Sequence, residues 1–277
     1  VIYNKNTVAE AGLEDPAVLF EKGKWNWDTF ENMLDEFVDN DNQKYGIDGW
    51  WFEEAFVQTT GVPAIALENG KLINNLAEPS MERVQNWLYN LSVNGNVAIG
   101  SSFYGWTEHP EYIGEGKLLF YPCGLWKLYS TPENWKTVFG EDVGFVPMPK
   151  DPQADEYYIP AGMDSYLFVN GGDNPEGVAK FLDCKRYVIC NQKLKDMYDS
   201  ETRSDYGWSD EMIEMKQKMD EMALENPKFD FSKGASFDIS KKIDEGLRQS
   251  AYGTPWNETF NSINSAVQTL IDEINNK

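Results

Sequence analysis

A repeated local arrangement constrains this chain before anything else: amphipathic helical segments opened by capping residues, separated by short apolar runs. After Asn26, whose side chain can accept from the free amides of a first turn, Trp27, Phe30, Leu34 and Phe37 recur at helical spacing. Val84, Trp87, Leu88 and Leu91 repeat the pattern after Pro79-Ser80. Asn174-Pro175-Glu176 opens another helix, with proline at the first position, an acid in the first turn, and Val178, Phe181 and Leu182 on one face. Ser209-Asp210-Glu211 begins a helix carrying Met212, Met215, Met219 and Met222, a stripe that reads as core. Ile239, Ile243 and Leu247 mark the next helix, and Phe260, Ile263, Val267, Leu270 and Ile274 the last.

Strand signals are shorter. Lys117 to Tyr121, Val143 to Val146 and Tyr166 to Val169 are apolar runs closed by glycine or proline. The opening Val1-Ile2-Tyr3-Asn4-Lys5 reads as a strand already in progress, which suggests a chain cut from a longer protein. Short strands among longer helices predict an α/β architecture.

The charge narrows the function classes. Twenty-four basic residues face 46 acidic ones, a formal charge of −22. Nucleic-acid binding needs basic surface to release counterions, so no nucleic acid is expected as a partner. The single histidine, His109, lies in Glu108-His109-Pro110-Glu111, which reads as an exposed turn. With one histidine and no CxxC pair, no metal site, cofactor or nucleophilic triad is expected. Cys123, Cys184 and Cys190 read as small buried apolar residues. Paired acids such as Glu53-Glu54 leave glycoside hydrolysis as the enzyme alternative. Aromatic residues make up 14% of the chain, with ten tryptophans; they either fill a large core or line a site that stacks on flat apolar faces such as those of sugars.

Several segments in order resemble the family 1 extracellular solute-binding proteins, the group containing maltose-binding protein. They are Tyr3-Asn4-Lys5, Ala11-Gly12-Leu13 and Trp27-Asp28-Thr29-Phe30; Gly116-Lys117-Leu118-Leu119-Phe120 followed by Gly124-Leu125-Trp126; Gly144-Phe145-Val146-Pro147-Met148-Pro149-Lys150; and Pro160-Ala161-Gly162-Met163-Asp164-Ser165-Tyr166, then Asn174-Pro175-Glu176 and Lys180-Phe181-Leu182. Asn26 stands where the family has a capping threonine, and Thr29 where it has glutamate.

The resemblance implies a periplasmic-binding-protein-like (class II) two-lobe α/β fold, here mainly the C-terminal lobe with an incomplete N-terminal lobe. Residues 1–145 and 205–277 would form the C-terminal lobe, and 146–204 a hinge-crossing segment of the N-terminal lobe. The apolar face of that segment would be exposed, rearranged or paired with another copy. The resemblance implies capture of a carbohydrate for the permease subunits of an ABC importer, outside the cytoplasmic membrane, with lipid anchorage from an upstream region or a periplasmic location. No catalysis is implied.

By the same resemblance Trp126 stacks on the sugar; its other reading is a core tryptophan at a helix start. Trp50, Trp51 and Phe52 match an aromatic turn facing the cleft, and three adjacent aromatics cannot all point into one core. Glu53 is read either as an acceptor for sugar hydroxyls or as a solvated acid at a helix start. Asp164 sits in a loop that reaches the ligand in the family, and Tyr104 and Phe237 are further candidates. A non-sugar solute such as a peptide or polyamine stays open, and a polyamine would need several acids around the aromatic box.

Overall fold

The computed structural model describes residues 1–49, 51–98, 108–161, 166 and 168–276. Within them, the centre is a mixed sheet built from distant pieces of chain. Ile2–Asn4 runs antiparallel to Val143–Phe145, with Ile2 opposite Phe145. Tyr45–Ile47 runs parallel to Leu118–Phe120. Ile2 and Tyr121 exchange two backbone hydrogen bonds of 2.9 Å, which join the two ladders. Ile47 adds a bridge to Val97 on the far side. Leu118, Leu119 and Phe120 are all buried, as expected for a strand covered on both faces.

The covering helices follow the sequence pattern. The helix Trp27–Phe37 begins at Asn26, whose side chain accepts from the Thr29 amide at 2.9 Å. Its buried face is Trp27, Phe30, Met33, Leu34 and Phe37. Phe30 stacks on Phe120 of the sheet with ring centroids 4.7 Å apart, and Trp25 meets both rings edge-on. Pro79–Val93, Phe237–Ala251 and Trp256–Asn275 form a helical layer, in which Ile239, Ile243 and Leu247 are buried. Asp210–Glu225 starts at the Ser209 cap and buries Met212 and Met215, the core role read for the stripe, while Met219 and Met222 are only half-buried.

A hairpin absent from the sequence reading joins Ile65–Glu68 to Lys71–Asn74. Asn69 and Gly70 turn it with φ of 51° and 79°, both left-handed, as a type I′ turn requires. The expected strand at Tyr166 to Val169 is not formed by its described residues; Pro160–Ala161 instead pairs parallel with Lys228–Phe229. That corrects the strand assignment: a short apolar run becomes a strand only where an edge is available to pair with it.

The stretch 146–204 divides in two. Val146, Met148 and Ile159 are buried, and Trp27 donates to the Lys150 carbonyl, which holds this part on the main body. From Tyr166 onward the apolar side chains face outward. The helix Pro175–Cys190 has no buried residue, and Gln192–Tyr206 buries only Thr202. Phe181 and Ile189 are 57% and 63% exposed. Cys184 and Cys190 lie on this helix and are exposed, which corrects their reading as buried residues; all three cysteines are free thiols. Burial resumes at Trp208, whose indole N–H donates to the Leu128 carbonyl at 3.0 Å.

Candidate functional site

The site begins with a backbone irregularity. Trp51 caps the helix Phe52–Thr59 with φ of 51° and ψ of 29°. A bulky residue in the left-handed region is disfavoured by contact between Cβ and the following carbonyl, and such outliers concentrate where a side chain has to be aimed. Here the turn separates two neighbouring aromatics. Phe52 goes into the core, 4% exposed, beside Phe56, whereas Trp51 turns out and is 37% exposed.

Trp51 lines an open concavity of about 350 Å³. Glu54, Gly124, Leu125, Pro147 and Ile159 are among its other walls. That volume lies within the range of small-ligand clefts. Trp51, Glu54, Ala55 and Gln58 reach the concavity together because they stand at i, i+3, i+4 and i+7 on one helical face.

Trp126 follows the wall residues Gly124 and Leu125, on the turn Leu125–Leu128, and is 57% exposed. Its indole lies against the Gly124 backbone: a Cβ at 124 would sit 2.4 Å from Trp126 Cδ1. Lys127 Nζ stands 5.1 Å from the Trp126 ring centroid and donates to Glu108 Oε1 at 3.1 Å. Tyr121 Oη donates to the other oxygen of Glu108. Burial, and then that hydrogen bond, push the Tyr121 phenol well above the ordinary tyrosine range.

Trp51 carries a matching group. Lys233 Nζ stands 5.2 Å from its ring centroid and donates to Glu54 Oε2 at 2.8 Å. Burial, followed by a hydrogen bond with Asp244, pushes the Glu54 carboxyl up to about 8. Behind this wall Glu53 is 3% exposed, and burial raises it to about 7. Asp48 is raised to about 6, also chiefly by burial, and accepts from the His109 amide at 3.0 Å.

The expected site residues therefore fall in different places. Trp51 is on the concavity wall, and Trp126 is exposed beside it. Glu53 is neither a solvated acid nor a wall residue: it points into the core, and the acid on the wall is Glu54. Helical spacing from Trp51 was the signal that would have selected Glu54. Phe52 is a core residue. Phe237 is 80% exposed at the start of its helix and is not among the residues lining this concavity. Trp50, Tyr104 and Asp164 lie outside the described residues. His109 is half-buried and stacked on Tyr112 at 5.0 Å, with Nδ1 at 2.9 Å from Glu111, so the exposed-turn reading is corrected as well. Among the described residues, no group of three or more His, Cys, Asp or Glu side chains is placed to hold a metal ion. No described helix is long and apolar enough to cross a membrane.

No family model and no curated protein matches the chain. Solved structures do. UgpB from Mycobacterium tuberculosis, in complex with glycerophosphocholine, superposes with a TM-score of 0.62 at 16% identity, covering 98% of this chain and 67% of that one. The cyclic α-maltosyl-1,6-maltose-binding protein of Arthrobacter globiformis gives 0.64 at 13% identity, covering 98% and 69%. The GacH receptor of Streptomyces glaucescens gives 0.61 at 12% identity, covering 98% and 68%. The architecture is thus the periplasmic-binding-protein-like fold, and the chain spans about two thirds of the length of these structures.

Proposed function

We propose that this protein captures a hydroxylated small solute, a mono- or oligosaccharide, for an ABC importer and releases it to membrane permease subunits. The observation that carries this reading is Trp51, an exposed indole held in a strained backbone conformation on the wall of a small-ligand concavity. Trp126 supplies a second exposed ring beside that wall. Flat indoles stack on the apolar C–H faces of sugar rings, while neighbouring amide and charged groups take the hydroxyls. The ligands in the structural neighbours point the same way: maltotetraose, α-D-tagatose, D-mannitol and ribitol are each bound by a protein of this fold.

The division into a lobe of residues 1–145 and 205–277, crossed by 146–204, belongs to the same proposal. The outward-facing apolar side chains between Tyr166 and Tyr198 are its support. Capture for import places the protein outside the cytoplasmic membrane, at the cell surface through a lipid anchor or in a periplasm. Closure of two lobes around the ligand would present the shape that a permease recognises.

Tryptophan-fluorescence titration with a panel of mono- and oligosaccharides tests the proposal. A saturable change that is lost in both Trp51→Ala and Trp126→Ala is the expected result. No response to any sugar from the folded protein, with a response to peptides or polyamines, would overturn the carbohydrate reading.

A further inference from the structure

The two exposed tryptophans share a construction that the capture proposal does not require. Each has a lysine ammonium against its ring, and each lysine is anchored by a glutamate. In one group Lys233 Nζ is 5.2 Å from the Trp51 centroid and 2.8 Å from Glu54 Oε2. In the other Lys127 Nζ is 5.1 Å from the Trp126 centroid and 3.1 Å from Glu108 Oε1. The two groups come from unrelated stretches of chain, so a single local motif does not account for both.

An indole face and a carboxylate are what an organic ammonium ion seeks. At both tryptophans that place is taken by the protein's own lysine. The carboxylates are committed too. Both oxygens of Glu108 accept hydrogen bonds, from Lys127 and from Tyr121. Glu54 is engaged by Lys233 on one side and by Asp244 on the other. An ammonium approaching either ring on that face would have to displace a lysine or sit against its like charge. Hydroxyl, carboxylate or phosphate oxygens meet the opposite situation, since lysine N–H groups are donors beside a stacking ring.

We infer that the site selects neutral or anionic hydroxylated solutes and excludes cationic ones, with Lys127 and Lys233 as the residues that set this preference. The inference rests on the proposed sugar capture. It also meets a physical need. A chain of formal charge −22 attracts cations over its whole surface, so discrimination against polyamines and amino sugars needs a repulsive element at the site itself. The raised carboxyl of Glu54 acts in the same direction, because a protonated Glu54 leaves the Lys233 charge uncompensated.

Calorimetric titration at fixed ionic strength tests this with ring-matched sets, glucose, glucuronate and glucosamine beside the galactose series, together with spermidine. The expected result is that the neutral or uronate member of a set binds and its amino sugar binds at least tenfold more weakly. Lys127→Met and Lys233→Met, which keep the apolar stem, are expected to close that gap, most of all in combination. An amino sugar or spermidine that binds as tightly as the neutral sugar overturns the inference and leaves sugar capture standing. A gap unchanged in the double variant overturns the assignment to the lysines. Absence of binding by every sugar, with circular dichroism showing a folded chain, overturns the capture reading and this inference with it.

Discussion

Glu54 on one helix and Asp244 on another form a carboxyl pair behind the concavity wall. Glu54 Oε1 and Asp244 Oδ1 are both buried, and neither meets a donor group among the described residues. The outer oxygens are served: Lys233 donates to Glu54 Oε2, and Ser240 Oγ donates to Asp244 Oδ2 at 3.4 Å. Burial first, and then the neighbouring Asp244 carboxyl, hold the Glu54 carboxyl above the usual carboxylate range.

The pair makes stability depend on pH. The carboxyl of Glu54 is raised from 4.5 to about 8, and that of Glu53 from 4.5 to about 7. The folded state therefore binds more protons than the unfolded chain between those values. The contribution is fully present below about 4.5 and is lost as pH rises through 7 to 8. Thermal melts should show stability falling across pH 5 to 8.5. Glu54→Gln keeps a donor toward Asp244 without titrating, and should flatten the slope by up to about 1.4 kcal/mol per pH unit. A variant slope equal to that of the parent would refute the raised Glu54 carboxyl.

Gly124 sets the inclination of the Trp126 ring. An added Cβ would overlap the indole at 2.4 Å, so Gly124→Ala must push the ring away. Trp126 emission is expected to shift, measured as the difference between Gly124→Ala and the same protein with Trp126→Phe. Affinity for a bound sugar should fall by roughly tenfold, about 1.4 kcal/mol. Unchanged emission and affinity would mean that the ring orientation is not held by Gly124.

Phe30 is 0% exposed and joins the sheet to two helices through Phe120, Phe56 and Trp25. Phe30→Ala is expected to cost about 3–5 kcal/mol in denaturant unfolding. Phe181→Ala, at a position 57% exposed, should stay within about 0.5 kcal/mol.

The helix Pro175–Cys190 leaves Phe181, Tyr187, Val188 and Ile189 open to water. An apolar surface of that kind favours contact with another apolar surface. Sedimentation velocity on this 277-residue chain should show concentration-dependent association, which Phe181→Ser with Ile189→Ser reduces. A chain that stays monomeric up to high concentration would show that this face makes no self-contact.

What the sequence determined by itself was local. Asn26, Asn174 and Ser209 open the helices they were expected to open, because an N-cap is a bond between residues three apart. Periodicity told which face of Trp27–Phe37 and of Phe237–Ala251 is buried. Asn69-Gly70 carried a hairpin signal that was there to be read, since its turn geometry is intrinsic to those two residues. The tertiary structure alone decided which of several chemically equal side chains face water. Trp25 is 0% exposed and Trp126 is 57% exposed, and nothing within a few residues of either distinguishes them. Trp25 is enclosed by Phe30 and by the distant Phe120, and its indole N–H donates to the Pro147 carbonyl at 2.8 Å, whereas Trp126 stands exposed on a turn. Helical phase separates Glu53 in the core from Glu54 on the wall, whereas the exposure of Cys184 and Cys190 follows from a helix none of whose described residues is buried. Burial is a property of the assembled surface, so a pattern that repeats every few residues carries it only where the covering layer is already known.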